Sequence, residues 1–289
     1  MVEWSDGYWW SNDGLRLHYR DYAGPASKPP ILCIPGLTRN ARDFEGVAER
    51  LAGKWRVICV DLRGRGDSAY AKDPMSYVPL TYLQDVEALV AELKLERFVL
   101  FGTSLGGLIT MLLAATGKER IAGALLNDIG PVLETRGLDN IRSYVGRSQN
   151  WPTWLHAARY LADAQSDRYP DWKLDDWLTY AKRLGKLTPQ GRIVFDYDMR
   201  LAEPFKLPAG EAGFDLWQAF RALDGIPALV VHGEVSDLLS ADTVAAMKAE
   251  LPSLESVTVP RVGHAPTLDE PEAQAGIEGL LKRVSAKKG

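Results

Sequence analysis

The chain has 289 residues and a formal net charge of −4. That length allows one large α/β domain or two ordinary ones, with a substantial buried core in either case. The acidic balance leaves no basic surface for nucleic acid or an anionic membrane. No apolar run approaches the roughly 18 residues that span a bilayer.

The first residues, Met1-Val2-Glu3-Trp4-Ser5-Asp6, lack the basic and apolar regions of a signal peptide, so a cytoplasmic protein is expected. Residues 8–22 read as a hairpin, with Asp13-Gly14 between alternating runs. His18 lies on the polar phase of its second strand and is expected at the surface. Ile31-Leu32-Cys33-Ile34 is a buried strand stopped by Pro35-Gly36-Leu37-Thr38, and a helix follows over 41–51. Residues 55–60 form the next strand, ending in Asp61-Leu62-Arg63-Gly64-Arg65-Gly66-Asp67-Ser68. The two cysteines, Cys33 and Cys59, sit in these strands and are expected as reduced core thiols.

An amphipathic helix is predicted over 77–95. Phe98-Val99-Leu100-Phe101 is a central strand, and 122–129 another. From 131 to 222 the pattern changes to helical segments with scattered aromatics. Strands resume at 226–231 and 256–259, with helices over 240–251 and 272–284. Strands alternating with helices at this spacing predict an α/β fold with a mostly parallel sheet covered on both faces. The expected organisation is a core of residues 1–130 and 223–289 with a helical cap at 131–222.

Gly102-Thr103-Ser104-Leu105-Gly106 joins the central strand to an apolar helix rich in Leu, Met and Ala. Strand, sharp turn and helix form the context of a nucleophile elbow, which lifts a serine to the N-terminus of the next helix. A serine hydroxyl needs an adjacent base, and the base needs an orienting carboxylate. Of four histidines, His156 and His232 read as surface or structural. His264 lies in a loop after the last strand, between Gly263 and Ala265-Pro266, at the sheet edge where ligands bind. Asp237 and Asp128 both end strands and compete for the orienting role. The backbone N–H groups of Leu37 and Leu105 are the candidate oxyanion donors, with Gly36 expected to supply an unusual backbone angle.

These landmarks, in this order, resemble the α/β-hydrolase superfamily over nearly the whole chain. Pro35-Gly36-Leu37 resembles its oxyanion loop, residues 61–68 its Asp-x-Arg-Gly-x-Gly-x-Ser loop, residues 102–107 its elbow, and Gly263-His264 its histidine loop. The resemblance implies an α/β-hydrolase fold with a helical cap and a Ser104, Asp237, His264 triad. The chain departs from the pattern in two places. Pro35 stands where histidine is common, and Gly233-Glu234-Val235-Ser236-Asp237 replaces the usual Gly-x-x-Asp. Asp128 is therefore kept as the alternative acid.

A serine nucleophile implies hydrolysis of a carboxylic ester or lactone through an acyl-enzyme, as in carboxylesterases and enol-lactone hydrolases. The alternatives are carbon–carbon hydrolysis of an aromatic meta-cleavage product, with Arg192 as the carboxylate anchor, and a non-catalytic ligand receptor on the same fold. Trp151 and Trp154 are the candidate substrate wall, predicting apolar groups of small to medium size over charged ones. The expected partner is a small-molecule substrate, with no nucleic acid and no membrane. No cluster has metal-ligand spacing and no phosphate-binding loop is present, so neither metal nor organic cofactor is implied.

Overall fold

A computed structural model describes residues 2–206 and 215–286. The chain opens with the predicted hairpin, β1 (Ser5–Trp10) and β2 (Arg16–Tyr22). It then alternates: β3 (Ile31–Ile34), α1 (Glu45–Leu51), β4 (Val57–Asp61), α2 (Pro79–Glu92), β5 (Phe98–Thr103), α3 (Leu105–Gly117) and β6 (Ile121–Asn127). Next come α4 (Thr135–Tyr144), β7 (Asn150–Trp151), α5 (Trp154–Gln165), α6 (Leu174–Leu184), β8 (Gly185–Leu187), β9 (Ile193–Phe195), α7 (Glu203–Lys206) and α8 (Leu216–Arg221). The chain closes with β10 (Ala228–Gly233), α9 (Ala241–Glu250), β11 (Glu255–Val259) and α10 (Pro271–Ala286).

Among the described residues, eight strands form one sheet in the order β1-β2-β4-β3-β5-β6-β10-β11. The hairpin and the β2–β4 pair are antiparallel, and the remaining pairs are parallel. β3, β4, β5, β6 and β10 are buried along their whole length. This is why they read as continuous apolar runs and not as alternating ones. Their side chains point alternately to two cores. Leu32, Ile34 and Leu100 pack with α2, α3, α8 and α9, while Ile31, Cys33 and Phe101 pack with α1 and α10.

His18 departs from expectation. Its ring is buried, with Nδ1 2.7 Å from Asp61 Oδ2 and Nε2 3.0 Å from Asp6 Oδ1. The cover on that face comes from cross-strand side chains, Asp6 and Tyr8 of β1 and Asp61 of β4, with the Tyr8 ring 5.3 Å from that of His18. Burial alone would lower the His18 pKa, but Asp61 and Asp6 outweigh it and the pKa is raised.

The segment between β6 and β10 holds the predicted helices and also a small antiparallel sheet, β7-β9-β8, which periodicity does not announce. Strands of two or three residues are too short to leave an alternating pattern. Most aromatics of this segment pack on one another. Tyr169 stacks on Trp172 at 3.9 Å between ring centroids, and Trp177 and Tyr180 close the cluster edge-on. α8 packs on α3, so its buried Phe220 joins the core of the main sheet. No helix of the described residues is long and apolar enough to cross a membrane.

Candidate active site

β5 sits at the centre of the sheet and delivers Ser104 to its C-terminal edge. Ser104 has φ 52 and ψ −115, a strained backbone that a non-glycine residue adopts only when its surroundings enforce it. The flanking glycines permit the turn. A Cβ on Gly102 would lie 2.3 Å from the Gly106 carbonyl oxygen, and one on Gly106 would lie 1.9 Å from that of Ile34. Any larger side chain at either position would therefore open the turn.

The Ser104 hydroxyl lies 2.9 Å from His264 Nε2, and His264 Nδ1 lies 2.8 Å from Asp128 Oδ2. A carboxylate can only accept, so Nδ1 carries the proton and Nε2 is left to accept from Ser104. Asp128 follows β6 directly, is fully buried and has φ 54. Its Oδ1 accepts the Gly233 N–H at 2.8 Å, and its Oδ2 also accepts the Ser236 hydroxyl at 2.6 Å. Thus the loop after β10 meets His264 through Ser236 and Asp128.

Asp237 does not reach His264, contrary to the expected triad. Its Oδ2 accepts from Asn140 Nδ2 at 2.5 Å and lies 3.4 Å from Arg168. The physical reason is register. Counting from Gly233, the fourth position, where the acid usually stands, is Ser236, and Asp237 is turned one residue past it. The same oxygen that would be an acid's is supplied from β6, by the residue held as the alternative.

The backbone N–H groups of Leu37 and Leu105 make no hydrogen bond to another described residue. Leu105 opens α3, whose first N–H groups have no partner within the helix. Leu37 is held by the buried Arg65, whose Nε donates to the Leu37 carbonyl at 2.8 Å. The loop after β4 thereby braces the loop after β3. Gly36 does not adopt a positive φ. A Cβ there would make only ordinary contacts, 3.6 Å from Ser104 Cβ and 3.4 Å from Arg39 Cγ, so neither backbone angle nor space demands a glycine.

The segment between α5 and α6 fastens onto the His264 loop. The Gly263 N–H donates to the Arg168 carbonyl at 2.7 Å, and the Tyr169 hydroxyl donates to the Ala265 carbonyl at 2.9 Å. Arg261 forms a bidentate pair with Asp171 at 2.6 Å.

A small chamber of about 60 Å³ opens above Ser104 and His264, with Arg39, Tyr180 and Leu184 among its walls. A larger one of about 460 Å³ lies between α4 and α5, and Tyr144, Gln165, Arg168 and Phe195 line both. Burial pushes the Tyr197 hydroxyl, in the inner wall, up to about 12, so it stays neutral at ordinary pH. Trp151 and Trp154 line neither chamber. Trp151 is buried against Tyr160 and Phe195, and Trp154 packs beside Gly185. Arg192 is exposed and donates to Asn150 Oδ1 at 2.7 Å, away from both chambers. The residues that sequence reasoning missed are Ser236, Arg65, Arg39 and Arg168. Ser236 alone had a readable signal, as the serine three residues after Gly233, where the acid usually stands.

Among the described residues, the grouping suited to a metal is His18, Asp61 and Asp67, whose ligand-type atoms lie within 4.8 Å of one another. None of the three lines the chamber over Ser104. The Asp61 oxygens there are already taken up by His18 and by the N–H groups of Ala41 and Asp67.

A parallel sheet crossed by helices, with a serine on a strained turn and a histidine on the last loop, defines a class of hydrolase scaffold. Residues 31–277 match the alpha/beta hydrolase family, and the chain belongs to it. It is 38% identical over 266 residues to the 3-hydroxybutyrate-oligomer hydrolase of Cupriavidus necator, covering 89% of each chain. It is 30% identical to the 2-(acetamidomethylene)succinate hydrolase of Mesorhizobium japonicum, covering 82% of each. The structure of an alpha/beta hydrolase from Novosphingobium aromaticivorans superimposes with a TM-score of 0.94 at 59% identity, over 98% of this chain and 99% of that one.

Proposed function

We propose that this protein is a serine hydrolase that cleaves a carboxylic ester or lactone through an acyl-enzyme. The observation that carries the reading is the unbroken hydrogen-bonded line Ser104–His264–Asp128. In it the Ser104 hydroxyl attacks the carbonyl carbon and passes its proton to His264 Nε2. Asp128 holds the ring in the required tautomer and stabilises the imidazolium. The free N–H groups of Leu37 and Leu105 receive the charge that develops on the carbonyl oxygen. His264 then gives its proton to the leaving alcohol, and water repeats the sequence to release the acid. The relative from Cupriavidus necator, named for hydrolysing 3-hydroxybutyrate oligomers, supports ester chemistry over the other reactions open to this scaffold.

The test is hydrolysis of p-nitrophenyl butyrate, with labelling by a fluorophosphonate. Wild-type protein should turn over the ester and carry the label on Ser104, and Ser104→Ala should do neither, with turnover down on the order of 10⁴- to 10⁶-fold. Retention of a tenth of wild-type activity by Ser104→Ala would remove Ser104 from the role. Turnover of a dienoic ring-fission product, with esters and lactones left intact, would replace the ester reading by carbon–carbon hydrolysis.

A further inference from the structure

We infer that the substrate is the ester of a hydroxy acid, and that Arg168 binds the free carboxylate on its alcohol half. This rests on the ester reading above and names the substrate class for the same site.

The first observation is charge. The chain is acidic overall, at −4, yet the outer chamber is lined by Arg136, Arg147 and Arg168 against Asp167 and Asp237. Three arginines against two aspartates leave that lining net positive, opposite in sign to the chain, and it draws anions.

The second is how little Arg168 is used. Its side chain is 19% exposed, and its one polar contact among the described residues is the 3.4 Å approach to Asp237 Oδ2. That distance is beyond a good charge-assisted bond, and Asn140 already donates to the same oxygen. A guanidinium has five N–H donors in a planar fork that matches a carboxylate, so most of this one is left for a ligand. Arg39 offers no such capacity. It is bonded to Asp43 at 2.9 Å and to the Tyr180 hydroxyl, and it lies over the Tyr180 ring.

The third is position. A Cβ on Gly263 would lie 3.1 Å from both Cα and Cβ of Arg168, so this arginine packs directly beside the residue preceding His264. His264 protonates the leaving alcohol, which places that half of the ester on the histidine side. The small chamber, lined by Leu37 and of about 60 Å³, admits a short acyl chain, and Arg168 stands in the wall it shares with the outer chamber. An alcohol half extending from His264 towards the outer chamber passes Arg168, and a carboxylate on it meets the open fork.

The test uses three butyrate esters with one acyl group: p-nitrophenyl butyrate, 3-(butanoyloxy)butanoate and its primary carboxamide. Wild-type protein should prefer the acid to the carboxamide by on the order of 10- to 100-fold in kcat/KM, mostly through KM. Arg168→Met should abolish the preference, and Arg168→Lys should restore part of it. Equal rates for acid and carboxamide in the wild type, or an undiminished preference in Arg168→Met, would overturn the inference. Calorimetric titration of Ser104→Ala with 3-hydroxybutyrate and 3-hydroxybutyramide separates the two readings. Binding of the acid alone, lost in the Ser104→Ala/Arg168→Met double variant, supports the anchor even if no ester is turned over. Absence of acid binding overturns the anchor even if p-nitrophenyl butyrate is a good substrate.

Discussion

The Ser236 hydroxyl donates to Asp128 Oδ2 at 2.6 Å, on the same oxygen that meets His264 Nδ1. One carboxylate from β6 and one hydroxyl from the loop after β10 thus share the place that a single aspartate on that loop usually fills. Asp128 is fixed from three sides, by Gly233, Ser236 and His264.

This arrangement separates the two aspartates experimentally. Asp128→Asn should lower turnover of p-nitrophenyl butyrate on the order of 10³- to 10⁴-fold, because an amide favours the wrong histidine tautomer. Asp237→Asn should cost about tenfold or less. Steady-state kinetics on both variants, with folding checked by circular dichroism, decides it. The opposite ranking would return the acid role to Asp237.

Ser236→Ala removes one of the hydrogen bonds that Asp128 accepts without touching the other two. A bond from a hydroxyl to a buried carboxylate contributes about 1.5–3 kcal/mol, so a loss of stability in that range is expected by urea denaturation. Turnover should fall by roughly tenfold, as expected when about 1.4 kcal/mol of orientation is lost. A variant with unchanged stability and turnover would mean Ser236 is a bystander.

Gly106→Ala tests the elbow. The added methyl would lie 1.9 Å from the Ile34 carbonyl oxygen, and backbone at that point cannot move without shifting β3. The expected outcome is destabilisation above about 3 kcal/mol and a loss of more than about 10²-fold in turnover, since Ser104 is displaced from His264. Near-normal melting and activity would show that the turn tolerates a side chain.

His18 supplies a pH-dependent stability. Its folded pKa is raised, burial being outweighed by Asp61 and Asp6, so the folded state binds the proton more tightly than the unfolded chain. The stabilisation is then complete below the unfolded value of about 6.5 and is lost as pH rises through the raised folded value. Thermal melts over roughly pH 5–9 should show the gap between wild type and His18→Gln closing as pH rises past about 6.5. A gap that widened with pH would mean that His18 is held neutral.

The parts of this molecule legible in its sequence are those determined by neighbours along the chain. β3, β5 and the Gly102–Gly106 turn announce themselves because apolar runs and close backbone approaches are local constraints. The place of Ser104 on that turn was readable for that reason, and that of His264 on the loop after β11 from its neighbours Gly263 and Pro266. Which aspartate meets His264 was not readable, because choosing between Asp128 and Asp237 depends on how a loop turns after β10, a matter of one residue. His18 misled because a polar phase on β2 means solvent only if nothing packs over that face, and the side chains of Asp6, Tyr8 and Asp61 do. The chamber walls were least legible. Trp151 and Arg192 share a composition with the true lining residues, and only the packing of α4, α5 and the short β7-β9-β8 sheet decides which side chains face inward.

The stitches between residues 168–171 and 261–265 couple access to competence. Gly263 and Ala265, on either side of His264, are both tied to that overlying segment. A movement of that segment away from this seam would slacken the mooring of the His264 ring, so the two cannot shift independently there. The gap between α4 and α5 lies outside that seam, and Arg168 stands in the wall it shares with the chamber over Ser104.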